Sequence, residues 1–124
     1  MRIFATKSFR RFQRKERIGD SALCSAIDRA ERGLVDADLG SGLIKQRVAR
    51  EGEGRSGGYR TIVAYRTALR SVFLFGFSKS KQANISAADE RDLADFGSML
   101  MRLGDDGIEV LIVDDELKEI ECHD

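Results

Sequence analysis

Two basic side chains at alternate positions of one predicted strand are the residues best placed to do chemistry. Lys45 and Arg47 lie two apart in Leu43–Arg50, where apolar and basic residues alternate. Strand residues two apart share a face of the sheet, and Arg60, near the start of the next predicted strand, joins them there. Arginine grips phosphate oxygens through paired hydrogen bonds, and repulsion from arginines makes a nearby lysine easier to deprotonate. The spacing predicts a phosphate-binding face that could also transfer a proton.

The same residues have a plainer interpretation. Lys45, Arg47, Arg50 and Arg66 could be only the solvated face of a half-buried sheet, since antiparallel sheets often bury one face and expose the other. The glycine-rich residues 52–58 lack the Gly-Lys-Ser/Thr sequence of a phosphate-binding loop and predict only a connection between two strands. On the residues alone, both interpretations stay open.

Strand and helix patterns around this face predict an α+β domain. The strand patterns cover residues 2–5, 43–50, 59–66 and 71–77. Helical patterns begin near Thr6 or Ser8, cover residues 21–32 between a cap at Asp20 and a stop at Gly33, and cover residues 86–103 after a cap at Ser86. The strand over 71–77 is apolar on both faces, which is typical of a central strand. The first two helices form a hairpin whose apolar sides need a sheet to cover them.

The last part of the chain is the least determined. Residues 108–113 fit a short helix or a strand, and residues 117–122 fit a short acidic strand or a tail. With 124 residues, the chain suffices for one compact domain but not for two. We expect a main domain over residues 1–104, and an acidic extension over residues 105–124 that packs on this domain or trails from it.

Charge is unevenly distributed along the chain, although the formal net charge is zero. Residues 1–17 hold seven Lys/Arg against one Glu, and residues 43–83 hold nine Lys/Arg against two Glu. Residues 89–124 hold thirteen Asp/Glu against three Lys/Arg. The basic segments either aid solubility or bind phosphate. The acidic end could also fold over the basic face and weaken it.

The two cysteines and the N-terminal segment indicate the compartment. Cys24 and Cys122 are too few and too unpatterned for a disulfide scaffold or a zinc site, which predicts free thiols and no metal or other cofactor. The basic N-terminal segment lacks the apolar core of a signal peptide, and no stretch is apolar enough to cross a membrane. We therefore expect a cytoplasmic protein.

Three segments of the chain resemble one family. Residues 42–50 (GLIKQRVAR), 55–66 (RSGGYRTIVAYR) and 73–79 (FLFGFSK) are similar to RelE-like, or HigB-like, members of the RelE/ParE superfamily of toxin–antitoxin toxins. The resemblance implies a small twisted antiparallel sheet packed against an N-terminal helical hairpin, with a C-terminal helix. It also implies a toxin that cuts mRNA on the ribosome without a metal. Its partner would be a cognate antitoxin, usually a helix-turn-helix protein, whose complex with the toxin can bind operator DNA.

The resemblance assigns roles to particular side chains. Lys45 and Arg47 match strand positions of catalytic cations, and Arg60 matches the arginine that grips phosphate. Lys79 and Lys81 fall where relatives place a further catalytic cation. The side chains expected to bind RNA, the tyrosines by stacking on bases, are Arg50, Tyr59, Tyr65 and Arg66.

One departure from the family pattern bears on the chemistry. The best-known members carry a Tyr or His near the C-terminus, whereas residues 79–85 contain neither, and Asn84 is the nearest polar substitute. His123 lies in the acidic end and is not expected to be catalytic. Two other functions stay open: a ParE-like poison of DNA gyrase, which needs no cation cluster, and an inactive module that only binds its antitoxin and DNA.

Overall fold

A computed structural model gives the fold. It describes residues 1–50, 54–78 and 84–122, with side chains for all of these except 50 and 54–57. In these ranges the elements are β1 (Arg2–Thr6), α1 (Lys7–Glu16), α2 (Asp20–Glu31), β2 (Ala37–Gly40), β3 (Leu43–Arg50), β4 (Gly54–Arg66), β5 (Arg70–Ser78), α3 (Ala87–Arg102), α4 (Asp105–Val113) and β6 (Leu117–Ile120).

The strands of the described chain form one six-stranded sheet in the order β2-β3-β4-β5-β1-β6. β1 runs parallel to β5, and every other neighbouring pair is antiparallel. The predicted α+β fold, with an N-terminal helical hairpin on a mostly antiparallel sheet, is confirmed. The central position of β5 is confirmed as well, since it lies between β4 and β1.

Helices α1 and α2 cover one side of the sheet, here called the hairpin face. Phe9 of α1 and Leu23 of α2 pack against Val63 and Phe73 of the central strands, and all four side chains are buried. Helix α1 begins after Thr6, one of the two predicted caps, whose hydroxyl accepts a hydrogen bond from the backbone N–H of Phe9 at 3.2 Å. Apolar burial therefore orients the hairpin against the sheet.

Helices α3 and α4 cover the opposite side of the sheet, here called the α3 face. Leu100 and Ile108 from the helices pack against Ile62 and Leu74 of β4 and β5. Ser86 caps α3 as the sequence predicted, and its hydroxyl accepts a hydrogen bond from a backbone N–H of the first turn. None of the helices in the described ranges is long and apolar enough to span a membrane.

Several details differ from the sequence predictions or decide between their alternatives. The cap of α2 is Gly19 rather than Asp20, which is instead the first helical residue and accepts a hydrogen bond from Gln13 at 2.6 Å. Residues 108–113 are helical, and β6 is a strand. The edge strand β2 was not predicted, because Ala37–Gly40 lacks the β-branched residues that favour strands.

Cys24 and Cys122 form a disulfide, so the prediction of free thiols is wrong. The two residues are 98 positions apart in the sequence, and no spacing pattern linked them. The bond joins α2 to the segment that follows β6. It therefore ties the hairpin to the sheet edge formed by the last strand.

The acidic end of the chain completes the sheet instead of covering the basic strands. β6 pairs with β1 at the edge opposite β2. Ile108 of α4 and Leu117 of β6 are fully enclosed in the core of the α3 face. The idea that residues 105–122 fold over the basic face of β3 and β4 is therefore wrong.

Candidate functional site

Lys45, Arg47 and Arg60 lie together on the α3 face and are here called the cation cluster. Leu43 packs into the core of that face, and positions 45 and 47 follow it on the same side of β3. Arg47 is directly opposite Arg60 in the β3–β4 pairing, and Lys45 is opposite Ile62. Directly opposed residues have Cβ atoms about 4.5–5.5 Å apart. The structure thus brings together the three cations that the spacing placed on one face.

Arg60 is the most enclosed member of the cation cluster. Only 9% of its surface is exposed, and its Nη1 is shielded from solvent without a hydrogen-bond partner among the described groups. β5 places the buried Phe77 opposite Arg60 on the side away from Arg47. A buried donor without a partner costs about 1–3 kcal/mol, and more when it is charged. An anion bound beside Arg60 would satisfy this donor and reduce the repulsion from Arg47.

Lys45 is half-buried and lies beside the segment that leads into α3. Its Nζ is 3.5 Å from Oδ1 of Asn84, which also accepts the backbone N–H of Ile85 at 2.9 Å. The residue that the sequence offered in place of the family's Tyr or His therefore reaches the cation cluster. A side-chain amide can orient the ammonium of Lys45, but it cannot give up a proton to a leaving oxygen near neutral pH.

Two charged residues that the sequence analysis missed hold the edge of β3. β2 pairs with β3 only between Gly40 and Ala37, so Arg47 lies beyond the last paired position. Oδ2 of Asp36 accepts the backbone N–H of Arg47 at 2.6 Å, and Arg29 donates to the carbonyl of Arg47 at 2.7 Å. The guanidinium and the carboxylate are themselves 3.3 Å apart. Together they take the place of a neighbouring strand and fix the backbone that carries Arg47.

Gln46 supports the same edge from the hairpin face. Its side chain is fully buried, and Oε1 accepts the backbone N–H of Asp36 at 3.0 Å. Nε2 donates to the carbonyls of Ala26 at 2.9 Å and Leu34 at 3.1 Å. The sequence did carry a signal, because Gln46 occupies a core-facing position of β3 among apolar residues. A buried amide at such a position needs hydrogen-bond partners.

The two tyrosines predicted to contact RNA lie on the hairpin face, away from the cation cluster. Tyr59 is 2% exposed, and its hydroxyl donates to the carbonyl of Glu16 at 3.4 Å. The hydroxyl of Tyr65 donates to the carboxylate of Glu31 at 2.7 Å. Burial raises the pKa of Tyr65 above its usual value, with a smaller contribution from Glu31 and an opposing hydrogen bond to Thr67. A base on the α3 face cannot stack on either ring.

The remaining predicted residues are not brought into the cation cluster by the described structure. Arg66 is exposed at the opposite end of β4, where it is paired with Arg70. It is six positions from Arg60 along the strand, about 20 Å at the usual rise. The side chain of Arg50 and the residues Lys79, Lys81 and His123 lie outside the described parts of the chain.

The chain matches one protein-family model. The model of the RelE toxin of the RelE/RelB toxin–antitoxin system matches residues 1–120, a range that includes every described strand and helix. The chain belongs to the RelE toxin family. It is thus a toxin of a toxin–antitoxin system, and membership of the family implies a cognate antitoxin as partner. The match extends through α4 and β6, so the acidic end belongs to the family fold.

A search of curated proteins gives no significant match to the chain.

Proposed function

We propose that this RelE-family toxin is a metal-independent, ribosome-dependent endoribonuclease that cleaves mRNA and thereby inhibits translation. The observation that carries the proposal is the buried Nη1 of Arg60, which has no hydrogen-bond partner among the described residues. Arg47 lies directly opposite Arg60, and Lys45 is two residues from Arg47 along β3. A phosphodiester is an anion that these three cations would bind, because the guanidinium of arginine matches the geometry of phosphate oxygens.

Each cation has a part in the proposed reaction. The ribose 2′-oxygen attacks the adjacent phosphorus as the bond from phosphorus to the 5′-oxygen breaks, which leaves a 2′,3′-cyclic phosphate and a free 5′-hydroxyl. Arg60 and Arg47 stabilise the additional negative charge of the phosphorane through charged hydrogen bonds. Lys45 is the proposed acceptor of the 2′-hydroxyl proton. Lys79 or Lys81 is the proposed source of the positive charge or proton that the departing 5′-oxygen requires.

The proposed dependence on the ribosome has a physical rationale. The cation cluster lies on a strand face, where its cations would hold a phosphate, and in-line attack also requires an aligned ribose. A message held in the ribosome would arrive with the ribose already aligned. Such alignment of the reacting groups lowers the reaction barrier. We accordingly place the activity in the cytoplasm.

The cognate antitoxin is the second proposed partner. We propose a helix-turn-helix protein whose carboxylates cover the cation cluster, because complementary charge increases both the affinity and the rate of association. Binding of the pair to operator DNA would then come from the antitoxin.

The test is a reconstituted bacterial translation reaction, with primer extension to map cuts in the message. Arg47→Ala removes an exposed cation, and Arg60→Gln keeps a buried hydrogen-bonding side chain while it removes the charge. We expect each variant to lose about 10²–10³-fold in cleavage rate, the usual effect of removing one preorganised charge-stabilising donor. The matched control is Arg32→Ala, which removes an exposed arginine from the end of α2.

Two results would contradict the proposal. Ribosome-dependent cuts that persist at full rate in both folded variants would mean that the cation cluster is not the catalytic site. No cuts from the wild-type chain, together with inhibition of DNA supercoiling by gyrase, would favour the ParE-like activity instead.

A further inference from the structure

The disulfide between Cys24 and Cys122 lies in an open cavity between α2 and the end of β6. The cavity has a volume of about 570 Å³, and both cysteines line it. We call it the disulfide cavity. Cys24 is half-buried, and Cys122 is exposed. Thiol–disulfide exchange begins when a thiolate attacks one of the two sulfurs, so access to the bond decides whether exchange occurs. A thiol from solution can reach this bond from the side of Cys122.

The location of the bond argues against a purely structural role. The proposed activity of the toxin is cytoplasmic, and disulfides in that compartment are usually transient, because cellular thiols keep most cysteines reduced. Helix α2, which carries Cys24, packs on the hairpin face, whereas the cation cluster lies on the α3 face. The bond is therefore separate from the proposed cleavage site and can be broken without the loss of any cation of that site.

The charges around the bond determine which thiols can attack it. Four carboxylates line the disulfide cavity, those of Asp20, Asp28, Glu31 and Glu121, and none of its lining residues in the described chain is Lys or Arg. Asp20 and Glu31 accept hydrogen bonds from neutral groups, the side chains of Gln13 and Tyr65. Arg32 offsets one charge, because its Nε is 3.3 Å from Oδ2 of Asp28. The cavity is thus net negative, and it repels a thiolate that carries further negative charge.

Reduction of the bond would loosen the last strand. β6 is four residues long and is held at the edge of the sheet by its pairing with β1 and by the burial of Leu117 and Ile120. The disulfide adds a covalent tie from the segment after β6 to α2 and restrains the unfolded chain. Without that tie, open forms of the chain are more populated, and proteases cut open forms.

We propose that the Cys24–Cys122 bond is a thiol–disulfide exchange site that disfavours anionic thiols, and that its redox state sets the lifetime of the toxin against proteolysis. The reductant is a dithiol that carries no additional negative charge. One of its thiolates attacks Sγ of Cys122, the sulfur–sulfur bond breaks, and Cys24 leaves as a thiolate that takes up a proton. The second thiol of the reductant then attacks the mixed disulfide and releases Cys122. Two electrons thereby pass to the protein, and the reductant becomes a disulfide.

The reverse exchange, with an oxidised dithiol, restores the bond. The proposal goes beyond the nuclease activity, because it concerns how long the folded toxin persists and not what the toxin cuts.

The first test compares the rates at which three small thiols reduce the folded chain. The thiols are cysteamine, 2-mercaptoethanol and mercaptoethanesulfonate, which are cationic, neutral and anionic apart from the thiol itself. Rates are referred to thiolate concentration and followed by alkylation and mass spectrometry. We expect cysteamine to react at least about fivefold faster than mercaptoethanesulfonate at low salt, and the ratio to shrink at high salt.

A pair of variants assigns this preference to the carboxylates of the disulfide cavity. Glu31→Gln/Glu121→Gln removes two of the charges while it keeps the size of the side chains, and the ratio between cysteamine and mercaptoethanesulfonate should fall at least about twofold. The matched control, Asp92→Asn/Asp95→Asn, removes two exposed carboxylates from α3 and should leave the ratio unchanged. Equal ratios in the wild type and both variants would overturn the proposed selection. A bond that resists all three thiols until urea unfolds the chain would overturn the exchange site altogether.

The second test measures the lifetime of the chain. Oxidised and reduced wild type are digested with subtilisin, and the reduced chain should be cut at least about tenfold faster, because the cross-link no longer opposes opening. Cys24→Ser/Cys122→Ser should be cut at the fast rate with or without reductant. Equal digestion of the oxidised and reduced chains would overturn the proposed control of lifetime. Both tests are made without RNA, so their results are independent of whether the nuclease proposal holds.

Discussion

Reduction of the Cys24–Cys122 disulfide should remove a large part of the folding free energy. The bond closes a loop between residues 98 positions apart. In the chain-entropy model, a closed loop of about 100 residues destabilises the unfolded state by about 4.7 kcal/mol. Domains of this size are stable by about 5–15 kcal/mol in total, so the oxidised and reduced forms should differ visibly.

Urea unfolding followed by far-ultraviolet circular dichroism measures this difference. The reduced chain should unfold at a lower urea midpoint, and its m-value should rise because the unfolded chain is no longer held compact by the cross-link. Cys24→Ser/Cys122→Ser should match the reduced wild-type chain and should not respond to reductant. If reduction changed the unfolding free energy by less than about 1 kcal/mol, the reasoning from loop closure would be refuted. A response of the serine variant to reductant would show that the assay reports something other than the bond.

Two further predictions concern single side chains. Gln46→Leu should lower the free energy of unfolding by about 2–4 kcal/mol. The substitution leaves the N–H of Asp36 and two carbonyls without their buried partner. A loss below about 1 kcal/mol, measured by urea unfolding, would contradict this network. Glu119 should make stability depend on pH, because its hydrogen bond and charge interaction with Arg2 hold the pKa of Glu119 below the ordinary value of 4.5. Its contribution is complete above pH 4.5 and is lost as pH falls through the lower folded-state pKa. Urea midpoints measured over this acid range should fall less steeply for Glu119→Gln, and identical profiles would show that the pair with Arg2 is not responsible.

The sequence predicted those elements whose own side chains carry a local pattern. β3 and β5 carry strand patterns, and helices α1 and α3 carry both an apolar side and a recognisable cap. β2 could not be predicted, since it is a strand only because its backbone pairs with β3. The disulfide depends on a contact between α2 and the segment after β6, which no local pattern records.

The candidate site was predictable in part for the same reason. Period two placed Lys45 and Arg47 on one face, and the pairing of β3 with β4 brought Arg60 opposite Arg47. The same period places the odd-numbered Tyr59 and Tyr65 on the face opposite Arg60, so their position away from the cation cluster could have been inferred. Asp36 and Arg29 could not, because they act on the backbone of Arg47 across a gap that appears only where β2 ends.

The place of β1 in the sheet has a consequence for synthesis of the chain. β1 is synthesised before the other strands, yet it lies between β5 and β6 in the sheet. β5 is synthesised after about half of the described chain, and β6 after nearly all of it. Until residues 117–120 leave the ribosome, one edge of β1 lacks its partner strand. Contacts of such long sequence separation form late and slow the folding of a domain. The nascent toxin should therefore complete its fold only after its last strand is released, which allows time for an antitoxin already present in the cell to bind it as it folds.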